Sequence, residues 1–175
     1  MLDFARNHFE LFDLPVRYAL DATALDAAYR ALQRNVHPDR HAASDAATRR
    51  LALQAAARVN EAYRTLGDPV ERARYLLDLR GVDAFDETDT SLDVDFLERQ
   101  LERRERAAEA TDARDEPALD ALLREVRADA KAIEATLGEL LDAQAPTAAA
   151  RARVRELKFL DKLAGDLDEM LAQVT

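Results

Sequence analysis

The stretch LQRNVHPDRH, residues 32–41, decides how the first half of the chain folds. It begins as a helix with a recurring apolar side and then reaches His37, Pro38 and Asp39. Because Pro38 disfavours the helical conformation of the residue before it, the helix has to end near His37. A second helix-forming segment starts at about Ser44. We therefore predict a hairpin of two helices whose connecting loop presents His37, Pro38 and Asp39.

Apolar residues recur every three or four positions on both sides of this loop, which indicates helices with one buried face. The first helix, which Asp21 or Thr23 can cap, is expected to bury Leu25, Ala28 or Tyr29, Leu32 and Val36. The second, ending near Leu66, is expected to bury Leu51, Ala55, Val59, Ala62 and Leu66. A third, from about Val70 to Arg80, carries Ala73, Leu76, Leu77 and Leu79. Gly67 and Gly81 are predicted to end helices with a positive φ.

The second half of the chain repeats the helical pattern on a larger scale. Three helices are predicted, from about Asp95 to Thr111, Asp115 to Ala143 and Thr147 to Gln173. Short connections between long helices favour antiparallel neighbours, so we expect a three-helix bundle. The fold class is therefore all-α. We predict a hairpin domain over residues 1–80, an acidic linker over 81–94 and the bundle over 95–175.

Composition and charge restrict where the protein acts and what it binds. The chain has no cysteine, no N-terminal signal pattern and no run of 18 apolar residues, so we expect a cytoplasmic protein without a membrane partner. Residues 1–80 carry 12 basic and 11 acidic side chains, whereas residues 81–175 carry 13 and 24. This distribution argues against nucleic acid as a partner, because a phosphate binder needs a clustered basic face and the acidic half would repel the polymer.

Metal and enzyme chemistry are poorly supported by the sequence. His37, Asp39 and His41 are three possible ligands within five residues, but a fourth is missing and His8 is the only other histidine. The bundle has no histidine for a di-iron site, and no phosphate-binding loop or nucleophile with a base is recognisable. We expect no cofactor and no catalytic activity of its own.

The segment VNEAYRTLGDPVERARYLL, residues 59–77, makes the hairpin resemble the J-domain of DnaJ-type co-chaperones. The matching residues after the loop are Asn60, Glu61, Ala62, Tyr63, Leu66, Asp68, Pro69, Arg72, Ala73 and Tyr75. Val36 departs from the pattern, since many J-domains carry tyrosine there, but it keeps an apolar side chain. The resemblance covers about residues 7–80.

Three further segments, YLLDLRGVD, DFLERQLERRE and ELKFLDKL, extend the resemblance over nearly the whole chain. Together they resemble the HscB-type co-chaperone of iron-sulfur cluster assembly, in which a J-domain is fused to an acidic three-helix bundle. The resemblance implies that the bundle binds the IscU-like cluster-assembly scaffold protein. It also implies that the J-domain stimulates ATP hydrolysis by a DnaK-type chaperone of the HscA class.

The resemblance places the chaperone contacts on the loop and its basic flanks: His37, Pro38, Asp39, Arg30, Arg34 and Arg40. The chemistry suits this role, because Pro38 limits the entropy lost on docking and Asp39 can accept two parallel bonds from an arginine. Arg30 and Arg34 lie four apart on one helix face and can steer approach to an acidic surface. An ordinary solvated face is the alternative interpretation of these arginines.

Helix 95–111 has two candidate apolar arcs. Phe96, Gln100 and Ala107 form one arc, whereas Leu97 and Leu101 begin another that continues into glutamates. If the first arc is buried, the second becomes an exposed strip of leucines and carboxylates, a composition typical of interfaces. On the residues alone, Leu97 and Leu101 as core residues are equally compatible with the pattern.

The resemblance favours the exposed strip and implies that the scaffold contacts are Leu97, Leu101, Glu102, Glu105 and Phe159. Glu98 is included with them, although the family commonly has a larger apolar residue there. Phe159 is expected largely outside the core, because it lies more than about 90° from the middle of the apolar arc of its helix. Two rival functions stay open: a general J-protein for unfolded clients, and a structural protein that dimerises through the bundle.

Overall fold

A computed structural model describes residues 3–36, 45–86, 92–143 and 146–174. Every regular element in these ranges is an α-helix, which confirms the all-α prediction. The helices are α1 (His8–Leu11), α2 (Ala22–Val36), α3 (Ala46–Gly67), α4 (Pro69–Asp78), α5 (Val94–Asp112), α6 (Glu116–Asp142) and α7 (Thr147–Val174). The chain divides into two compact units, Met1–Leu76 and Leu77–Thr175.

Aspartates mark where several of these helices begin. In each case the carboxylate accepts a hydrogen bond from the backbone N–H three positions later, and the residues are Asp45, Asp68, Asp93 and Asp115. At the start of α2 the carboxylate of Asp21 accepts from the N–H of Thr23, two positions later, at 2.9 Å. Caps of this kind stabilise a helix by about 1 kcal/mol each, so the local sequence fixes these boundaries.

The first unit is built on the predicted hairpin of α2 and α3. Leu25 and Val36 on α2 are buried, and α3 buries Val59, Ala62 and Leu66. The prediction that Leu51 is buried is wrong, because this side chain is 37% exposed and Ala52 is buried instead. The two positions lie on opposite margins of the buried arc of α3, and the helix is rotated so that the alanine, not the leucine, is covered.

The end of α4 also differs from the prediction. The helix stops at Asp78, and Leu79 lies in the following turn with 44% of its surface exposed. Gly81 has the expected positive φ of 74°, a conformation that favours glycine. For Gly67 the prediction is wrong, because it is the last residue of α3 and the chain leaves the helix through the extended backbone of Asp68.

The second unit contains the predicted three helices α5, α6 and α7. Their buried core consists of Phe96, Ala107, Ala110, Leu119, Leu122, Leu123, Val126, Leu160, Leu163 and Leu167. Burial of these apolar side chains is the main force that holds the three helices together. Across the described ranges, no helix is both long enough and apolar enough to cross a bilayer.

Part of the predicted linker belongs to the second unit as ordered structure. Ala84 is completely buried, and the guanidinium of Arg155 on α7 donates to its carbonyl at 2.9 Å. The ammonium of Lys158 lies 3.9 Å from the centre of the Phe85 ring, a cation–π contact. Residues Ala84 and Phe85 are therefore fastened to α7.

Candidate functional site

The hairpin tip is the first candidate site, and its central residues fall outside the described ranges. They are His37, Pro38, Asp39 and Arg40. The described part of α2 ends at the buried Val36, and α3 begins behind the capping carboxylate of Asp45. The outward orientation of the loop stays a prediction.

The basic flank of this tip is described. Arg30 and Arg34 are both exposed on α2. The side chain of Arg30 is 74% exposed, and its guanidinium lies 3.9 Å from the carboxylate of Asp26, one turn earlier. An exposed ion pair of this length contributes little free energy, so Arg30 can exchange Asp26 for a partner's carboxylate at low cost.

The residues that carry the J-domain resemblance fasten α2 to α3. The rings of Tyr29 and Tyr63 stack with their centres 4.0 Å apart. Tyr29 donates to the side-chain oxygen of Asn60 at 3.0 Å and accepts from Gln33 at 2.7 Å. Tyr63 donates to Asp26 at 2.7 Å, and this bond raises the pKa of the Tyr63 hydroxyl. The motif therefore holds the two helices at a fixed separation behind the loop.

A second group of motif residues fastens the short helix α1. The backbone N–H of His8 donates to the hydroxyl of Tyr75 at 3.0 Å, and the two rings stack at 4.2 Å. Burial lowers the pKa of His8, and the nearby positive charge of Arg58 lowers it further. His8 is therefore held as a neutral ring inside the first unit.

The strip on α5 is the second candidate site. Phe96, Gln100 and Ala107 are buried, which settles the choice between the two arcs in favour of the first. Leu97 is 42% exposed and Leu101 61% exposed. Glu98, Glu102 and Glu105 are exposed on the same side of the helix. The structure thus brings two leucines and three carboxylates together at the surface, as the second arc predicts.

Phe159 lies at the edge of this strip. The prediction that it lies largely outside the core is wrong. Its side chain is half-buried and packs against the bundle core, where its ring meets that of Phe96 edge-to-face at 5.8 Å. The guanidinium of Arg104 covers the ring at 5.1 Å. A helical projection of α7 alone places Phe159 outside the core, because it cannot include the large ring that α5 contributes.

The sequence analysis missed a buried ionic cluster behind the strip. The side chain of Arg103 is only 5% exposed, yet it donates to Glu125 at 2.8 Å and to Asp129 at 2.5 Å on α6. It also donates to Gln100 at 3.2 Å. The sequence did contain a signal, since Arg103 lies on the same arc as Phe96, Gln100 and Ala107.

The electrostatics of this cluster favour its ionised form. Partial burial of Glu125 opposes ionisation, but the hydrogen bonds and the positive charges of Arg103 and Arg106 together outweigh it and lower the pKa of the carboxyl. Burial likewise acts against the charge of Arg103, whereas its bonds to Asp129 and Glu125 raise its pKa. Each shift has the direction that a stable ion pair requires. The cluster fixes how α5 is rotated against α6, and so which face of α5 is exposed.

Comparisons with known proteins agree with this division of the chain. Residues 7–75 match the model of the DnaJ domain, and residues 92–168 match that of the HSCB C-terminal oligomerisation domain. The chain is 49% identical over 174 residues to the co-chaperone protein HscB homologues of Burkholderia multivorans and Burkholderia cenocepacia. In both comparisons 99% of each chain is covered.

Solved structures give the same result. Chaperone HscB from Vibrio cholerae is 38% identical, with a TM-score of 0.87, over 97% of this chain and 100% of that one. Human co-chaperone protein HscB is 26% identical, with a TM-score of 0.87, over 95% of this chain and 82% of that one. The chain therefore belongs to the HscB family of J-domain co-chaperones.

Proposed function

We propose that this chain is a cytoplasmic adaptor of iron-sulfur cluster assembly. Its bundle binds the IscU-like scaffold protein, and its J-domain delivers that scaffold to a DnaK-type chaperone of the HscA class and stimulates the chaperone's ATPase. Family membership supports the co-chaperone part of this proposal. The observation that carries the scaffold-binding part is the exposed strip on α5.

The strip has the composition of a binding surface and is held rigidly. Leu97 and Leu101 remain exposed although the opposite face of α5 is buried in the core. Exposed apolar side chains ringed by charges are typical of protein interfaces. Because the Arg103 cluster fixes the rotation of α5, the helix that carries the strip needs no ordering on binding, which lowers the entropic cost of the contact. These features favour a folded partner over an extended, unfolded client.

The scaffold contact is tested by replacing both strip leucines. We expect Leu97→Ala with Leu101→Ala to weaken binding of the purified scaffold protein by at least about thirtyfold, the effect of losing a hot spot worth about 2 kcal/mol. Leu51→Ala with Leu53→Ala is the matched control, since these α3 leucines are 37% and 58% exposed. Binding is measured by calorimetry. Equal affinities for the two double variants would contradict the assignment.

The chaperone contact is tested at the hairpin tip. We expect Asp39→Asn to abolish stimulation of the partner's ATPase while scaffold binding is retained, because the change removes the charge that an arginine would pair with. Asp45→Asn removes the same charge six residues away, and asparagine preserves the helix cap. Stimulation by Asp39→Asn at the level of the Asp45→Asn control would refute this role.

Self-association is a second candidate role for the bundle. It is favoured by the name of the matched family model, which describes an oligomerisation domain. Sedimentation velocity over a range of protein concentrations separates the two roles. A dimer that the two strip substitutions dissociate would assign the strip to a second copy of the chain, whereas a monomer that binds the scaffold protein supports the adaptor.

A further inference from the structure

The charges around the α5 strip are arranged unevenly. Glu98, Glu102 and Glu105 are exposed, and none of them has a cation within ion-pair distance in the described part of the chain. Glu98 and Glu102 lie four residues apart, a spacing at which like charges destabilise a helix. A basic partner surface would reduce the repulsion among these carboxylates.

Arg104 is the cation on the opposite edge of the same strip. At 100° per residue it lies about 60° from Leu101 and about 20° from Leu97, so the leucines separate it from the glutamates. Its guanidinium covers the ring of Phe159, 5.1 Å from the centre. The strip therefore runs from carboxylates, across two leucines, to an arginine on an aromatic ring.

Two of the other three arginines of α5 are used differently, and the third, Arg99, is exposed about 160° around the helix from Leu97, away from the strip. Arg103 is buried and paired with Glu125 and Asp129, and Arg106 is paired with Glu125 at 3.1 Å. Arg104 has no carboxylate within ion-pair distance among the described residues, and its contact there is the ring of Phe159. Its charge is thus available to a partner, while Arg103 and Arg106 are already paired with carboxylates of α6.

The contact with Phe159 prepares Arg104 for a carboxylate. The guanidinium of Arg104 lies over the ring of Phe159, so the ring covers one side of the group and the N–H donors that do not face the ring stay open to a partner. These donors match the two oxygens of a carboxylate. Holding the guanidinium on the ring also reduces the side-chain entropy that pairing would otherwise cost.

We propose that Arg104 is a specificity-determining residue of the strip, which receives a carboxylate of the scaffold protein on the Phe159 side while Glu102 and Glu105 receive basic side chains on the other. The inference rests on the proposed scaffold binding and adds the orientation of the partner. A surface with this order of charges accepts its partner in one direction, because the reversed orientation would place like charges together.

The test compares charge reversals of equal size. We expect Arg104→Glu to weaken binding of the purified scaffold protein at least about tenfold, with a smaller loss at high salt. Lys131→Glu is the control, since it reverses an exposed charge of α6 outside the strip. If both variants bind equally well, Arg104 does not determine specificity. If the unmodified chain fails to bind, it is the proposed function that fails.

A second variant tests whether Arg104 binds the partner directly or only shields the ring of Phe159. Arg104→Gln removes the charge and uncovers Phe159. Weaker binding with a reduced salt dependence is the expected result, because one charge pair is lost. Tighter binding would overturn the proposal, since it would mean that Arg104 only shields the ring and must move away when the partner docks.

Discussion

The two units fasten their helices with different polar chemistry. In the hairpin, stacked tyrosines and the amides of Gln33 and Asn60 join α2 to α3. In the bundle, the guanidinium of Arg103 is buried between two carboxylates of α6. Neutral polar groups cost little to bury when they are hydrogen-bonded, as these are, whereas a buried ion depends on every partner that surrounds it. The difference predicts that the bundle is more sensitive to single substitutions than the hairpin.

The chain offers a direct way to follow the units separately. It contains no tryptophan, and its four tyrosines, Tyr18, Tyr29, Tyr63 and Tyr75, all lie in the first unit. Tyrosine fluorescence therefore reports on the hairpin unit, while circular dichroism at 222 nm reports on the helices of both.

The largest effect is expected for Arg103→Ala. We expect the free energy of unfolding of the bundle to fall by about 2–3 kcal/mol, somewhat less than for a fully buried pair because Glu125 and Asp129 are 42% and 50% exposed. Urea unfolding followed by circular dichroism measures this loss. Arg99→Ala, an exposed change on the same helix, is the control and should stay within about 0.5 kcal/mol. A similar loss for both would contradict the role of the ionic cluster.

Phe159→Ala is expected to have the next largest effect. Its ring is half-buried against Phe96, so the bundle should lose about 2 kcal/mol, roughly half the cost for a fully buried phenylalanine. Leu101→Ala, at a position 61% exposed, should be nearly neutral in the same urea titration. Equal stability of the two variants would restore the view that Phe159 lies outside the core. Because of this expected loss, Leu97 and Leu101 are better probes of binding.

Tyr29→Phe tests the neutral network of the hairpin. The ring and its stack on Tyr63 are kept, but the hydroxyl that bonds to Asn60 and Gln33 is removed, so a loss of about 1 kcal/mol is expected. Unfolding followed by tyrosine fluorescence measures it. Adding Gln33→Ala to Tyr29→Phe should cost less than Gln33→Ala alone, and strict additivity would argue against a shared network.

The smallest effect concerns pH. Because burial lowers the pKa of His8, the folded hairpin binds fewer protons than the unfolded chain near pH 6. Its stability is therefore fully present above the unfolded pKa of about 6.5 and falls as the pH drops below that value toward the folded pKa. We expect a loss between pH 7.5 and 5.5 that is smaller than that of Tyr29→Phe. His8→Phe keeps a ring against Tyr75 and should reduce this pH dependence, whereas an unchanged slope would assign it to other groups.

Much of the fold could be predicted because its signals are local. Helical periodicity, Pro38 and the capping aspartates act within a few residues of one another, so the all-α class and most helix boundaries follow from them. Leu51, for which burial was wrongly predicted, lies at the margin of an apolar arc, and Leu79, which was wrongly predicted to be helical, lies beyond a helix end. At such places the local pattern is ambiguous, and the neighbouring helix decides which side chain is covered.

The sequence by itself determined the helices and the two-part division, and it left two arcs of α5 as candidates for the exposed strip. Only the tertiary structure decided that Arg103 is buried, that Phe159 belongs partly to the core and that Arg104 lies on its ring. The physical reason is distance along the chain. Arg103 meets Glu125 across 22 residues and Arg104 meets Phe159 across 55, and such pairs depend on how whole helices are rotated against each other.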